Sequence, residues 1–288
     1  MLFVSIALSA NFYSESVLEM LRSIPQLSWV PEIPPKFSQH SLIQLKSRLL
    51  PLSHLFAHTT AKTLLSAETP DSFSWLELKP ECMAVIEQGD CGSCWAFSSS
   101  GAFSDNRCIH GLDGSKVIYS AQFMVSCDTM NDGCIGGNMI LAQQFIKKTG
   151  LVTEKCLSYK SMNNVTGKCP QACDDGSAFV LTKSVGFADV CANEESIKAA
   201  LLQGTVQTGF TVYEDFLYYK SGVYTHQYGL IVGGHGVAMV GYGEENGVKF
   251  WQVRNSWGTD FGENGFFKIA RGVNECGIEN QCMLTQVE

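Results

Sequence analysis

Apolar residues along this chain change their spacing near residue 180. Before that point they recur at helical intervals. Behind Ser93, a candidate N-cap, the positions Cys94, Trp95, Ala96, Phe97, Gly101, Ala102 and Phe103 predict one long buried helix. Shorter helices are predicted over 120–126 and 139–148, the last closed by Gly150. After residue 180 the apolar runs become short and are divided by glycine-rich turns: Val-Ala-Met-Val at 237–240, Phe-Trp-Gln-Val at 250–253, Phe-Phe-Lys-Ile at 266–269. These read as strands. A helical half followed by an antiparallel β half is an α+β arrangement, and the cleft between two such halves is a natural place for a site.

The first 66 residues have a different character. They hold no cysteine and only two weak helical patterns. Val17, Met20, Leu21 and Ile24 follow Ser14 and stop at Pro25; Leu42, Leu45 and Leu49 follow Ser41 and stop at Pro51. Between them Trp29-Val30-Pro31-Glu32-Ile33-Pro34-Pro35 is barred from helix by its prolines and reads as extended. A segment with so little apolar surface of its own is expected to lie draped on the rest. Ahead of it, residues 1–10 (MLFVSIALSA) are apolar and end in small residues, the pattern of a secretory signal without its basic start.

Composition narrows the setting. At 288 residues and 45% hydrophobic, the chain can bury one or two sizeable cores, and twelve cysteines favour an oxidising compartment. A formal charge of −8 with no basic run argues against nucleic acid, and no apolar stretch is long enough for a membrane span. The charge is divided: residues 1–66 carry five Lys/Arg against three acids, a net +2, and the remainder is −10. A basic leader on an acidic body fits a segment held partly by charge and loosened when carboxylates protonate.

The chemistry concentrates in Gln88-Gly89-Asp90-Cys91-Gly92-Ser93-Cys94-Trp95-Ala96-Phe97. At a helix start, unpaired N–H groups and the helix dipole favour a thiolate at Cys94. Three readings compete: structural cysteines, a redox or zinc-binding Cys-x-x-Cys, and a nucleophile awaiting a base. A base is available in Gly233-Gly234-His235-Gly236, ahead of a strand; twenty residues later comes Asn255-Ser256-Trp257-Gly258. Of the other histidines, His40, His54 and His58 lie in the leader, His110 follows Cys108, and His226 is the one rival.

Gln88, Cys94-Trp95, Gly234-His235 and Asn255-Ser256-Trp257-Gly258, in that order, resemble the papain family of cysteine proteases over residues 70 to 288. The short leader, the cysteine count and Asn274-Glu275-Cys276-Gly277-Ile278-Glu279 resemble its cathepsin B-like branch. The resemblance implies a two-lobed fold: a propeptide over 11–68 acting as intramolecular inhibitor, a helical lobe over about 69–179 and a β lobe over about 180–288. It implies a monomeric cysteine endopeptidase acting on protein and peptide substrates, without cofactor or metal. Its destination would be the secretory pathway, either a lysosome-like vacuole or the exterior. Cys94 would be nucleophile, His235 base and acid, Asn255 the residue orienting His235, Gln88 an oxyanion donor and Trp257 a shield at the site. Processing is expected within a few residues of Ala67. The implied disulfides are Cys82–Cys108, Cys91–Cys134, Cys127–Cys169 and Cys156–Cys173.

Gly136 and Gly137 resemble the segment that pairs with substrate backbone before the cut. Met139, Gly236 and Gln281 match the pocket for the second residue before it. Glycine at 236, where relatives have alanine, suggests a roomier pocket; neutral Gln281, where cathepsin B has an acid, suggests apolar or aromatic residues over arginine. Only twelve residues separate Cys156 from Cys169, with no histidine among them. The cathepsin B insert that captures a C-terminal carboxylate is therefore missing, which points to an endopeptidase. Asn164-Val165-Thr166 is the single Asn-x-Ser/Thr acceptor site. Two alternatives stand beside this reading: a catalytically silent peptide-binding relative, and a thiol–disulfide oxidoreductase.

Overall fold

The computed structural model describes residues 11–55 and 68–288; the proposed signal, the processing region at Ala67 and His58 lie outside them. The leader forms helix α1 (Glu15–Arg22), strand β1 (Trp29–Pro31) and helix α2 (Leu42–Lys46). Ser41 and Gln44 close a reciprocal capping box at α2, whereas Ser14 leaves α1 without a side-chain cap. Pro35 opens a 3-10 turn, Pro35–Phe37, ending the extended run. The leader has no core of its own. Leu18, Leu21, Trp29, Phe37 and Leu45 are buried in one cluster with Phe216, Tyr218, Tyr219, Tyr224 and Trp257 of the body.

The body opens with strand β2 (Phe73–Ser74) and helix α3 (Trp75–Leu78), then the long helix α4 (Cys94–Ile109). Helices α5 (Ala121–Cys127) and α6 (Met139–Lys148) pack on α4, capped by Ser120 and Asn138. Strand β3 (Gly186–Asp189) and helix α7 (Glu194–Leu201) follow; α7, begun by Asn193, is a helix that the strand-like spacing beyond residue 180 does not mark. The remaining strands are β4 (Val206–Tyr213), β5 (Tyr219–Tyr224), β6 (Ile231–Glu245), β7 (Val248–Arg254), β8 (Phe266–Ala270) and β9 (Met283–Gln286). Their order is β1-β5-β8-β7-β6-β4-β9-β3, with β2 also on β6. Neighbours are antiparallel except β5 and β8, which run parallel with Val223 opposite Lys268.

Helix α4 is buried on nearly all sides because it lies between the two lobes. Its polar residues are satisfied across that boundary. Gln207 donates to Ser98 Oγ (3.0 Å) and Ser99 Oγ (2.5 Å), and Asn106 Nδ2 donates to the carbonyls of Thr205 and Thr285. Buried Asp105 accepts from Arg254 Nη1 and Lys116 Nζ, both at 2.8 Å. The residue just before Asn255 is thus tied to the helix that begins with Cys94. The disulfides Cys82–Cys108, Cys91–Cys134, Cys127–Cys169 and Cys156–Cys173 staple the helical lobe and its loops, while Cys94, Cys191, Cys276 and Cys282 are free.

Candidate active site

Cys94 is the first residue of α4, but Ser93 does not cap the helix. Its φ and ψ are −96° and 11°, and its hydroxyl bonds Tyr159 Oη at 2.8 Å instead. The sulfur accepts from the backbone N–H groups of Trp95 and of Gly236, the residue after His235. Strand β6 therefore reaches the helix start, and glycine at 236 is what lets it. A Cβ there would stand 3.0 Å from Ser98 Oγ and 3.1 Å from the Cys94 carbonyl. Gly236 therefore faces the start of α4 closely.

The β6–β7 register, with Ala238 opposite Arg254, brings Asn255 beside His235. His235 Nε2 and Asn255 Oδ1 are 2.7 Å apart, which sets Nε2 as the donor. Nδ1 is left buried and without a partner. Trp257 covers this pair, its ring centroid 4.6 Å from the imidazole. The rival His226 is held elsewhere, bonded to Asp215 and stacked on Tyr213.

Gln88 is fully buried and fixed. Its Oε1 accepts from Ser256 Oγ at 2.6 Å, a contact the sequence reading did not identify. Its Nε2 donates to Cys91 O at 2.7 Å and to the carbonyl of Arg48, in the leader, at 2.8 Å. From there the leader follows the cleft. Leu50 exchanges backbone hydrogen bonds with Gly234 at 2.9 and 2.8 Å. Pro51 and His54 lie against Gly136, and Asn138 Nδ2 donates to His54 O. Gly137 packs face-on to Trp95, whose ring would stand 2.5 Å from an added Cβ.

Leu55 ends the described run buried beside Gly209 and Gly234. An added Cβ at Gly209 would meet Leu55 Cδ2 at 2.6 Å and Met139 Cε at 2.8 Å. Gly209 is a close-approach position that the sequence analysis does not single out; a glycine inside the apolar strand β4 is the available signal. Gln281 is buried on the segment leading into β9, beside β4. Asn164 is exposed on the short loop between Cys156 and Cys169, and Thr166 of its triplet accepts from Cys134 N at 3.0 Å.

With the leader seated the pair is dry. Burial pushes the Cys94 thiol up to about 12, outweighing the N–H groups of Gly236 and Trp95 that favour a thiolate. Burial likewise draws His235 down to about 4, against the hydrogen bond its Nε2–H donates to Asn255, and the nearby Arg48 cation adds to the fall. The thiolate expected at the helix start is therefore disfavoured while the leader covers it. The redox reading ends on geometry, since Cys91 is bonded to Cys134 and leaves Cys94 no dithiol partner. Among the described residues no His, Cys, Asp and Glu group is arranged to hold a metal, and no helix is long and apolar enough to cross a membrane.

Comparison with known proteins places this geometry. The family model described as "Papain family cysteine protease" matches residues 69–286. Cathepsin B-like CP3 of Giardia intestinalis is 43% identical over 288 residues, covering 97% of this chain and 96% of that protein. The structure of proCathepsin B S9 from Trypanosoma congolense superposes with a TM-score of 0.86 at 29% identity, covering 97% of this chain and all of that one. The ragweed pollen cysteine protease Amb a 11, in its proform, gives 0.80 at 28% identity, over 96% of this chain and 86% of its own.

Proposed function

The chain belongs to the papain family of cysteine proteases, and on that premise we propose that it is a cathepsin B-like endopeptidase made as a zymogen. Residues 11–68 are the inhibitory propeptide and 69–288 the mature enzyme, with cleavage near Ala67. One observation carries the reading: a peptide carbonyl, that of Arg48, already sits on Gln88 Nε2 in the cleft beside Cys94.

The chemistry follows from the positions. Once the leader leaves, water enters and the penalty on charge at Cys94 and His235 falls, so that a thiolate–imidazolium pair becomes accessible. The thiolate attacks the scissile carbonyl. Gln88 Nε2 and the Cys94 N–H hold the oxyanion, at about 3 kcal/mol per donor in comparable sites. His235, kept in one tautomer by Asn255 and shielded by Trp257, protonates the leaving amine, and water then resolves the acyl-enzyme.

The leader escapes cleavage because of its direction. Its stretch from Leu50 to Leu55 passes Gly136 and reaches Gly209 and Met139, where the N-terminal part of a substrate would lie, so it runs backwards through the cleft. Leu55, seated beside Gly209 and Met139, supports a preference for apolar residues over arginine there. The short 156–169 loop leaves both cleft ends open to an internal stretch of polypeptide. Four disulfides favour passage through the secretory pathway, where the exposed Asn164 is open to glycosylation.

The test is acid maturation with a thiol reductant, followed by digestion of an unstructured protein, with Cys94→Ala in parallel. Internal cleavage that vanishes in the variant is expected. Proteolysis surviving the substitution, or release of C-terminal dipeptides faster than internal cuts, would overturn the reading.

A further inference from the structure

Glu87 and Asp90 stand on either side of Gln88, and the turn that shields the imidazole holds this segment in place. Glu87 forms an antiparallel bridge with Trp257, and the Gln88 N–H donates to the Ser256 carbonyl at 2.9 Å. Glu87 Oε2 would stand 2.8 Å from a Cβ at Gly258, so its carboxylate lies over that turn. Trp257 in turn covers His235, the group that hands a proton to the leaving amine. The leader divides along the same line. Its residues 50–55 run past Gly234 and Gly136 to Gly209. Lys36, Phe37 and Arg48 lie at the other end, with the Phe37 ring 6.4 Å from that of Trp257. Residues 50–55 fill the half of the cleft meant for substrate before the cut, so the two carboxylates belong to the half that takes the residues after it.

In the covered chain Arg48 donates to Glu87 Oε1 at 2.7 Å and to Asp90 Oδ1 at 2.8 Å, one nitrogen to each, and Lys36 also pairs with Glu87. Among the described residues every cation on these two carboxylates belongs to the leader. What the body itself supplies is the Gly89 N–H, 2.9 Å from Glu87 Oε1. Removing the leader thus leaves both charges uncompensated, on a body whose net charge is −10. We propose that in the matured enzyme Glu87 and Asp90 form an acidic seat on the leaving-group side of the cleft, which recognises an Arg or Lys side chain on one of the two substrate residues that follow the cut. This rests on the proteolytic reading above and deepens it. Charge-assisted hydrogen bonds from a guanidinium fork to two carboxylates are strong and directional, and they favour Arg over Lys. Attraction toward the acidic body adds a salt-sensitive increment to association.

The test uses enzyme matured from the full chain and internally quenched peptides that are identical up to the cut. They carry Arg, Lys, Gln or Glu at the first or the second residue beyond it, and mass spectrometry of the products confirms which bond is broken. At one of the two positions the kcat/KM ratio of Arg to Gln should be about tenfold, with Glu slowest. That ratio should shrink in high salt. In Glu87→Gln/Asp90→Asn it should fall to about twofold, the remainder coming from the acidic body as a whole. If the double variant does not mature, Asp90→Asn, at a side chain 35% exposed even under the leader, carries the same test with a smaller drop. Reading ratios within each variant separates recognition from a general loss of activity. Equal rates for Arg and Gln at both positions, or a ratio unchanged in the variants, would overturn the inference while leaving the protease standing; the two carboxylates would then serve the leader alone. If none of the peptides is cut, the proteolytic reading fails and this inference fails with it.

Discussion

Replacing Arg48 with Ala in the full chain removes the guanidinium and keeps the backbone carbonyl that sits on Gln88. The loss is two charge-assisted hydrogen bonds from a side chain 7% exposed to carboxylates 19% and 35% exposed. Such bonds contribute about 1.5 kcal/mol each at the low end of their range, and partial exposure brings the pair to about 2 kcal/mol. At 1.36 kcal/mol per factor of ten, the uncovered population should rise about 30-fold. The assay is hydrolysis of a small fluorogenic peptide by chain shown on a gel to be unprocessed, at pH 7. A rate about 30-fold above the unaltered zymogen is expected, with a smaller gain for Lys36→Ala, whose side chain is 31% exposed. A change below threefold for Arg48→Ala would refute the claim that this ion-pair latch holds the leader down.

Release of the leader should speed up as pH falls. Burial alone would raise the Glu87 pKa, but Lys36, Arg48 and the Gly89 N–H together hold it below 4.5, so its contribution to leader binding is present above 4.5 and lost as pH falls through the lowered value. Activation half-times should therefore be shorter at pH 4 than at pH 5.5 or 7, and fastest activation at neutral pH would contradict this. Gly209→Val fills the pocket floor, so cleavage of peptides with Leu or Phe two residues before the cut should drop about tenfold while Ala there is spared; equal losses for all three would argue against the pocket assignment. Asp105→Asn strands Arg254 and Lys116 between the lobes and should cost about 3 kcal/mol in urea unfolding. A change under about 0.5 kcal/mol would mean the buried pair does not hold the lobes together.

Much of this was legible in the sequence because the relevant residues obey local rules. The α4 periodicity, the Gly150 boundary of α6 and the strand runs of β6 to β8 follow from side-chain spacing. The order of Gln88, Cys94, His235 and Asn255 carries the family resemblance. What stayed hidden depends on distant partners. Helix α7 lies within a strand-rich region and is stabilised by packing on β4 and β6. Gly209 shows its purpose only when Leu55 and Met139 arrive from elsewhere in the chain. The closeness of Gly236 to Ser98 and Cys94 emerges only when β6 meets α4. Arg48 reads as an ordinary basic residue of a weak helix until the fold sets it against Glu87 and Asp90. Cys94 adds a related case: a helix start favours the thiolate, and burial under the leader, a distant partner, opposes it.

Cys94 reactivity against pH tests the central claim most directly. Iodoacetamide alkylation of matured enzyme, followed by mass spectrometry of the Cys94 peptide, should proceed at pH 5 at a rate close to that at pH 7. In the unprocessed chain Cys94 should stay unlabelled, and in His235→Ala the rate should rise only toward the ordinary thiol range near 9. If matured enzyme instead shows that late rise, and His235→Ala leaves the profile unchanged, the two side chains do not act as a pair and the mechanism is wrong.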